Sequence, residues 1–214
     1  MFSRERLARL VGVAVLVAAP LSAFAQTYRE YSEPGVRRAY GPPSGTGSTV
    51  TLGGGVMAFT GSGARSVAEG GGAWGLRLGW GTRTVLGFEA AYQGSLNKLT
   101  AAGLDPNAML LGTGAEGALR LNIPVAYRDS LLEPFAFGGL GWTRFDVVND
   151  EVNNSNVAEK DHIMTVPFGA GMAAAVRGFL VDARFTYRLA YRENLIGNTN
   201  LDNWIVSANL GSEF

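Results

Sequence analysis

Three features of the 214-residue chain predict an all-β protein, an eight-stranded antiparallel up-and-down transmembrane β-barrel. Apolar residues recur at every second position in segment after segment, and the connections between segments alternate between short and long. Beyond residue 48 no apolar stretch reaches the roughly 18 residues that a spanning helix needs. Composition supports this class. Apolar residues make up 47% of the chain, 30 residues are glycine, and 18 basic residues balance 18 acidic ones. Such a balance argues against disorder, which needs low hydrophobicity and excess charge. It also argues against a nucleic-acid partner, which calls for a clustered basic surplus. With no cysteine and a single histidine, His162, neither thiolate nor multi-histidine metal sites are available, and no cofactor or metal is expected.

In chain order, residues 1–25 read as a secretory signal. Arg4, Arg6 and Arg9 form a positive start, Leu10–Leu21 an apolar run, and Ala23-Phe24-Ala25 a small-residue cleavage site. The apolar stretch is short for a membrane anchor and is interrupted by Pro20. Cleavage near Ala25 removes three Arg and one Glu, leaving 15 basic against 17 acidic residues. Residues 26–48 read as a flexible periplasmic tail, because Pro34, Pro42 and Pro43 with several Gly and Ser forbid a helix or a central strand.

Residues 49–214 then divide into eight alternating segments. The second sets Trp74, Leu76, Leu78 and Trp80 against Gly75, Arg77 and Gly79. In the third, Leu86, Phe88, Ala90 and Tyr92 oppose Gly87, Glu89 and Gln93. The fourth opposes Leu111, Ala115, Leu119 and Leu121 to Gly112, Gly114, Glu116 and Arg120. The seventh is the clearest, with Phe179, Val181, Phe185, Tyr187, Leu189 and Tyr191 on one face and Asp182, Arg184, Thr186 and Arg188 on the other. The eighth sets Trp204, Val206, Ala208, Leu210 and Phe214 against Ser207, Asn209 and Glu213. Segments one (Val50–Thr60), five (Glu133–Asp146) and six (His162–Val176) alternate less cleanly, and the fifth is apolar on both faces.

Turns at Gly81-Thr82-Arg83 and Val176-Arg177-Gly178 are tight, with Pro124–Leu132 somewhat longer. The connections Gly61–Gly71, Asn97–Asn107, Val147–Asp161 and Glu193–Asn203 are long and polar. Short turns on one side and long loops on the other suit a membrane barrel. Within hydrocarbon a sheet must close, since every backbone N–H and C=O has to be paired within the protein. The large residues are then expected to face lipid. Trp74, Trp80, Tyr92, Tyr187, Tyr191, Trp204 and Phe214 are the expected membrane-interface aromatics near strand ends. A lumen charge network is expected from Arg77, Glu89, Glu116, Arg120, Asp182, Arg184, Arg188 and Glu213; Arg144 joins them if the fifth segment turns that face inward. A soluble carrier barrel would reverse the faces and remains the fold-level rival.

On these residues the chain resembles the small eight-stranded outer-membrane barrels, the OmpA-type transmembrane domain and its OmpX- and OmpW-like relatives. The likeness rests on the leader, the four hairpins from Val50 to Phe214, the run Pro134-Phe135-Ala136-Phe137-Gly138-Gly139-Leu140-Gly141, and the terminal aromatic Phe214. That last residue, with Ala208 and Leu210 before it, is similar to the signal read by the barrel-assembly machinery. The resemblance implies a Gram-negative outer membrane, contact with its lipid and lipopolysaccharide, and loops that face outward toward an unknown protein partner. The peptidoglycan-anchoring role of OmpA is not carried over.

Four other motifs have plainer readings. Gly112-Thr113-Gly114-Ala115-Glu116-Gly117 matches a dinucleotide-binding pattern, but Asn122 and Pro124 arrive too soon for the helix that pattern requires. Small residues on a crowded inward face explain it better. His162 beside Asp161 is the only imidazole for a lipid-acyl hydrolase, yet Met164 stands where that resemblance would want a serine. Asp146, Asp150 and Glu151 lack the spacing of a calcium loop, and Asn153-Asn154-Ser155 is a bare glycosylation triplet. The expected function is therefore non-enzymatic: envelope structure and surface interaction. The alternative is a small ion channel or an OmpW-like conduit for apolar solutes lined by Met57, Phe59 and Leu110.

Overall fold

The computed structural model describes residues 46–101, 103–123, 125–127, 130–149, 160–176, 179–191 and 200–214. The leader, the tail up to residue 45, Asp150, Glu151 and the Asn153 triplet lie outside the described residues. The strands are β1 (Ser48–Phe59), β2 (Gly71–Trp80), β3 (Leu86–Lys98), β4 (Met109–Asn122), β5 (Val125–Tyr127), β6 (Ser130–Val148), β7 (Lys160–Val176), β8 (Phe179–Tyr191) and β9 (Asn203–Glu213). Each long strand is antiparallel to its neighbour, and β9 returns to β1, so the sheet closes.

The short β5 is not an additional stave. Asn122 pairs with Phe135, the Ile123 N–H donates to the Pro134 carbonyl at 2.9 Å, and Val125 pairs with Leu132, all in one continuous register on β6. β4 and β5 are thus one strand interrupted around Pro124, whose ring nitrogen has no hydrogen to give the ladder. Tyr127 pairs with Ser130. Most of the connection that the sequence suggests over Pro124–Leu132 is therefore strand. The barrel has eight staves, as expected.

Following paired residues once round from Ser48, through Trp80, Phe88, Leu119, Gly138, Phe168, Tyr187 and Trp204, returns to Ala58, ten residues along β1. A displacement of ten residues at about 3.3 Å each, over eight steps of about 4.8 Å, tilts the strands by about 40°. At that tilt about ten residues cross an apolar band of about 25 Å, and every full stave is long enough.

Alternation sorts the two faces. Leu52, Val56, Leu76, Phe88, Tyr92, Leu119, Leu140, Phe185 and Leu210 are exposed on the outside, with their neighbours in sequence turned in. A water-soluble barrel would not leave a continuous apolar belt of this kind facing solvent. Inside, Thr51, Glu89, Glu116, Arg120, Asp182, Arg184 and Arg188 are buried. The orientation is that of a transmembrane barrel.

The outer face is itself closely fitted. Gly94 and Trp74 are direct cross-strand partners, and the indole lies over the glycine where any Cβ would overlap the ring. Gly94→Val is expected to displace the indole and lower stability by about 1–3 kcal/mol through overpacking. A shift in tryptophan emission that disappears in a Trp74→Phe background checks the cause; unchanged emission would contradict it.

At the loop end the chain adds an element that alternation did not foresee. Helix α1 (Ser62–Val67) occupies the first long connection, and Ala68 beyond it bridges to Leu99. Ala64 and Ala68 thereby join Met57, Phe59, Leu99, Leu110, Phe145, Ile163, Leu201 and Ile205 in a buried apolar cluster. A second cluster comprises Ala118, Phe135, Phe137, Ala173, Ala175 and Leu180.

Candidate functional site: the lumen charge network

Inward positions on β2, β3, β4, β6, β8 and β9 bring opposite charges together in the lumen. Glu89 on β3 is the hub. Its carboxylate accepts from Arg120 Nη1 at 2.8 Å and Arg184 Nη1 at 2.9 Å, and Arg77 Nη1 stands 3.6 Å away. β3 and β8 are not neighbours in the sheet, so the Glu89–Arg184 pair spans the lumen. Arg184 also pairs with Asp182 on its own strand, and Asp182 accepts from Asn209 Nδ2 at 2.8 Å.

Arg120 divides its fork between two acids. Nη2 reaches Glu133 Oε1 at 2.6 Å, Nη1 reaches Glu89, and Nε donates to Asn122 at 2.5 Å. Its guanidinium carbon lies 3.6 Å from the Phe135 ring centroid, and that of Arg184 lies 4.9 Å from the same ring. The aromatic face offers the cations a partner where water is excluded.

A second tie crosses from β4 to β8. Glu116 pairs with Arg188, whose Nε is 2.5 Å from Oε1, and Gln93 Nε2 donates to the same carboxylate at 2.7 Å while its own carbonyl accepts from Arg188. A third group sits by the β2–β3 turn, where Glu213 accepts from Arg83 Nε at 3.2 Å and Thr82 Oγ1 at 2.9 Å. All eight lumen residues expected from the sequence face inward, and seven of them belong to the first two groups.

The sequence reading missed Glu133, Phe135, Gln93 and Arg83. Glu133 and Phe135 lie on β6, whose Phe135, Phe137 and Phe145 point inward while Leu140 and Trp142 point out. Large apolar residues on both faces erased the phase. The inward acid at Glu133 was the signal that would have restored it. Arg144 is corrected by the same phase: it lies on the outer face, its side chain 40% exposed and paired with Asp146 at 2.7 Å.

A small cavity of about 20 Å³ borders Gly53, Gly75, Arg77, Gln93, Arg188 and Asn209. It is large enough for one water, and the buried Arg77 Nε has no protein acceptor. Met57, Phe59 and Leu110, the residues expected to line a conduit, are packed in the loop-end cluster. The glycine-rich Gly112–Gly117 run is the interior of β4.

His162 is exposed on the outer face of β7 and stacks on Trp142, with ring centroids 5.5 Å apart and planes 11° apart. Of the expected interface aromatics, Trp80 ends β2 and Phe214 follows β9 at the turn side, whereas Tyr191 ends β8 and Trp204 begins β9 at the loop side. Trp74 and Tyr187 lie a few residues inside their strands. Tyr92 differs from expectation: it stands at the middle of β3.

No protein-family model and no curated protein matches the chain. Solved structures share its fold. It is similar to Neisserial surface protein A, with a TM-score of 0.50 and 14% identity over 79% of this chain and 98% of that one. Similarity also extends to the N-terminal β-barrel domain of Pseudomonas aeruginosa OprF (TM-score 0.47, 13% identity, 78% of this chain and 97% of that one). The attachment invasion locus protein Ail of Yersinia pestis is a further match (TM-score 0.45, 14% identity, 79% and 99%). The shared property is the eight-stranded outer-membrane barrel fold.

Proposed function

We propose that the protein is a closed, non-enzymatic barrel of the outer membrane that contributes to envelope structure and displays its long loops for surface interaction. The observation behind this reading is the filling of the lumen. Cross-lumen arginine–carboxylate ties occupy its interior, and the apolar cluster with α1 packs its loop end. Eight strands leave an interior that side chains can fill, or that can hold at most one small ligand. A conduit needs space between Met57, Phe59 and Leu110, and these are packed against one another and Phe145. His162 faces away from the lumen, with Met164 two residues on along the same face.

Planar-bilayer recording of the refolded protein tests the reading. The expected result is a folded barrel without discrete conductance. Openings that change amplitude in Arg120→Ala or Glu116→Ala would overturn it in favour of a gated pore. Release of fatty acid from outer-leaflet lipid, lost in His162→Ala, would overturn the non-enzymatic part.

A further inference from the structure

Charge on the outer face of the strands is confined to one place. Among the described residues, the outward positions of β1, β2, β4, β8 and β9 carry no Lys, Arg, His, Asp or Glu. The exceptions lie at the loop ends of β3, β6 and β7: Lys98, Arg144, Asp146, Lys160 and His162. Register makes four of them a block. Arg144 is opposite His162, and Asp146 is opposite Lys160. Lys98 stands on the same side of the barrel, at the end of β3.

The next outward pair down the same two strands is Trp142 and Met164, 46% and 49% exposed, and Leu140 lies below at 65%. The block therefore sits at the border between an apolar belt and the polar rim. Two fixed cations, Arg144 and Lys160, share it with a single carboxylate. Arg144 gives Nη2 to that carboxylate at 2.7 Å, while its Nε is screened from solvent and has no acceptor. A charge on the lipid face is costly at mid-membrane and nearly free at the interface. Cations at this height meet the headgroups of the surrounding leaflet.

We infer that the outer face of β6–β7 is a binding site for a phosphorylated lipid headgroup, with Arg144 and Lys160 holding the phosphate and Trp142, Met164 and Leu140 lying along the acyl chains. The Arg144 side chain is 40% exposed, and its guanidinium carries N–H donors beyond the one given to Asp146, in a planar fork that suits a phosphate. Lys160 adds a second positive centre one strand away. Asp146 opposes the ligand and sets the affinity below what the cations alone would give. His162, opposite Arg144, is stacked flat on Trp142. The site needs the barrel to be seated in an outer membrane. It does not need a sealed lumen, so a conducting barrel would leave it standing.

The full chain, refolded into phosphatidylcholine nanodiscs, is titrated with a bis-phosphorylated glycolipid and, separately, with the same glycolipid after phosphate removal. Native mass spectrometry reads the retained lipid. Arg144→Ala/Lys160→Ala is expected to weaken binding of the phosphorylated form about thirtyfold, from roughly a fivefold effect per basic side chain at a membrane surface. Asp146→Asn is expected to tighten it about fivefold on the same scale, an outcome that misfolding does not produce. Arg65→Ala, an exposed cation on α1 away from the block, is expected to change nothing. Equal binding of the dephosphorylated glycolipid would overturn the proposal, since the apolar belt would then suffice. Competition by inorganic phosphate at lipid-like concentrations would overturn it in favour of a simple anion site. No tightening in Asp146→Asn would overturn the assigned electrostatics.

Discussion

Glu89→Ala is expected to destabilise the barrel by about 3–5 kcal/mol, the usual loss when one member of a buried ion pair is removed. The reason is arithmetic of charge. Arg120 and Arg184 bond directly to Glu89, and Arg77 stands at 3.6 Å. After the change, Arg120 retains Glu133 and Arg184 retains Asp182, but Arg77 loses the only ion-pair partner it has among the described residues. Three guanidinium groups in the lumen would then face two carboxylates. Glu89→Gln should lose less than alanine, because the amide oxygen still accepts a hydrogen bond although the charge is gone. Urea unfolding in lipid vesicles, followed by far-UV circular dichroism, checks both. Equal stability of all three forms would mean that water, rather than Glu89, satisfies the arginines.

The second large effect belongs to the opposite face. Leu52, on β1, is 65% exposed and is flanked across the strands by Leu76 and Leu210, themselves 44% and 56% exposed. Leu52→Arg is expected to cost about 2–4 kcal/mol in lipid vesicles, the usual penalty for a cation at the membrane centre. For a barrel surrounded by water, the same substitution at so exposed a position would be close to neutral. The vesicle measurement separates the two surroundings by its magnitude. No loss would contradict the assignment of this face to lipid.

Which face each residue takes was readable for most staves because a strand's side chains alternate with period two. On β8 the alternation holds from Phe179 to Arg188, and Leu189, in the outer phase yet buried, departs from it. β6 was opaque for a physical reason: Phe135 and Phe137 are inward because they lie against Arg120 and Arg184, and an apolar residue inside looks in sequence like one outside. The continuation of β4 into β5 was hidden because Pro124 reads as a turn signal although the ladder resumes beyond it in the same register. The membership of the lumen network was legible, but its wiring was not. Glu89 and Arg184 lie 95 residues apart, and only closure sets β3 across from β8. Helix α1 gave little warning either, since Ser62-Gly63-Ala64-Arg65-Ser66-Val67 is too short for a helical period to show.

The pairing of β1 with β9 has a consequence for the order of assembly. It joins the two strands furthest apart in sequence, with Ser48 and Phe214 exchanging hydrogen bonds of 2.9 and 3.0 Å at the end of the ladder. Until it forms, an otherwise finished sheet has two open borders, one of them the glycine run Gly53-Gly54-Gly55. Hydrocarbon offers these borders no substitute for their missing partners. The staves therefore cannot enter the bilayer one at a time, as independently stable helices can. Entry and joining have to proceed together, and the long chain separation of the last pair makes that step intrinsically slow.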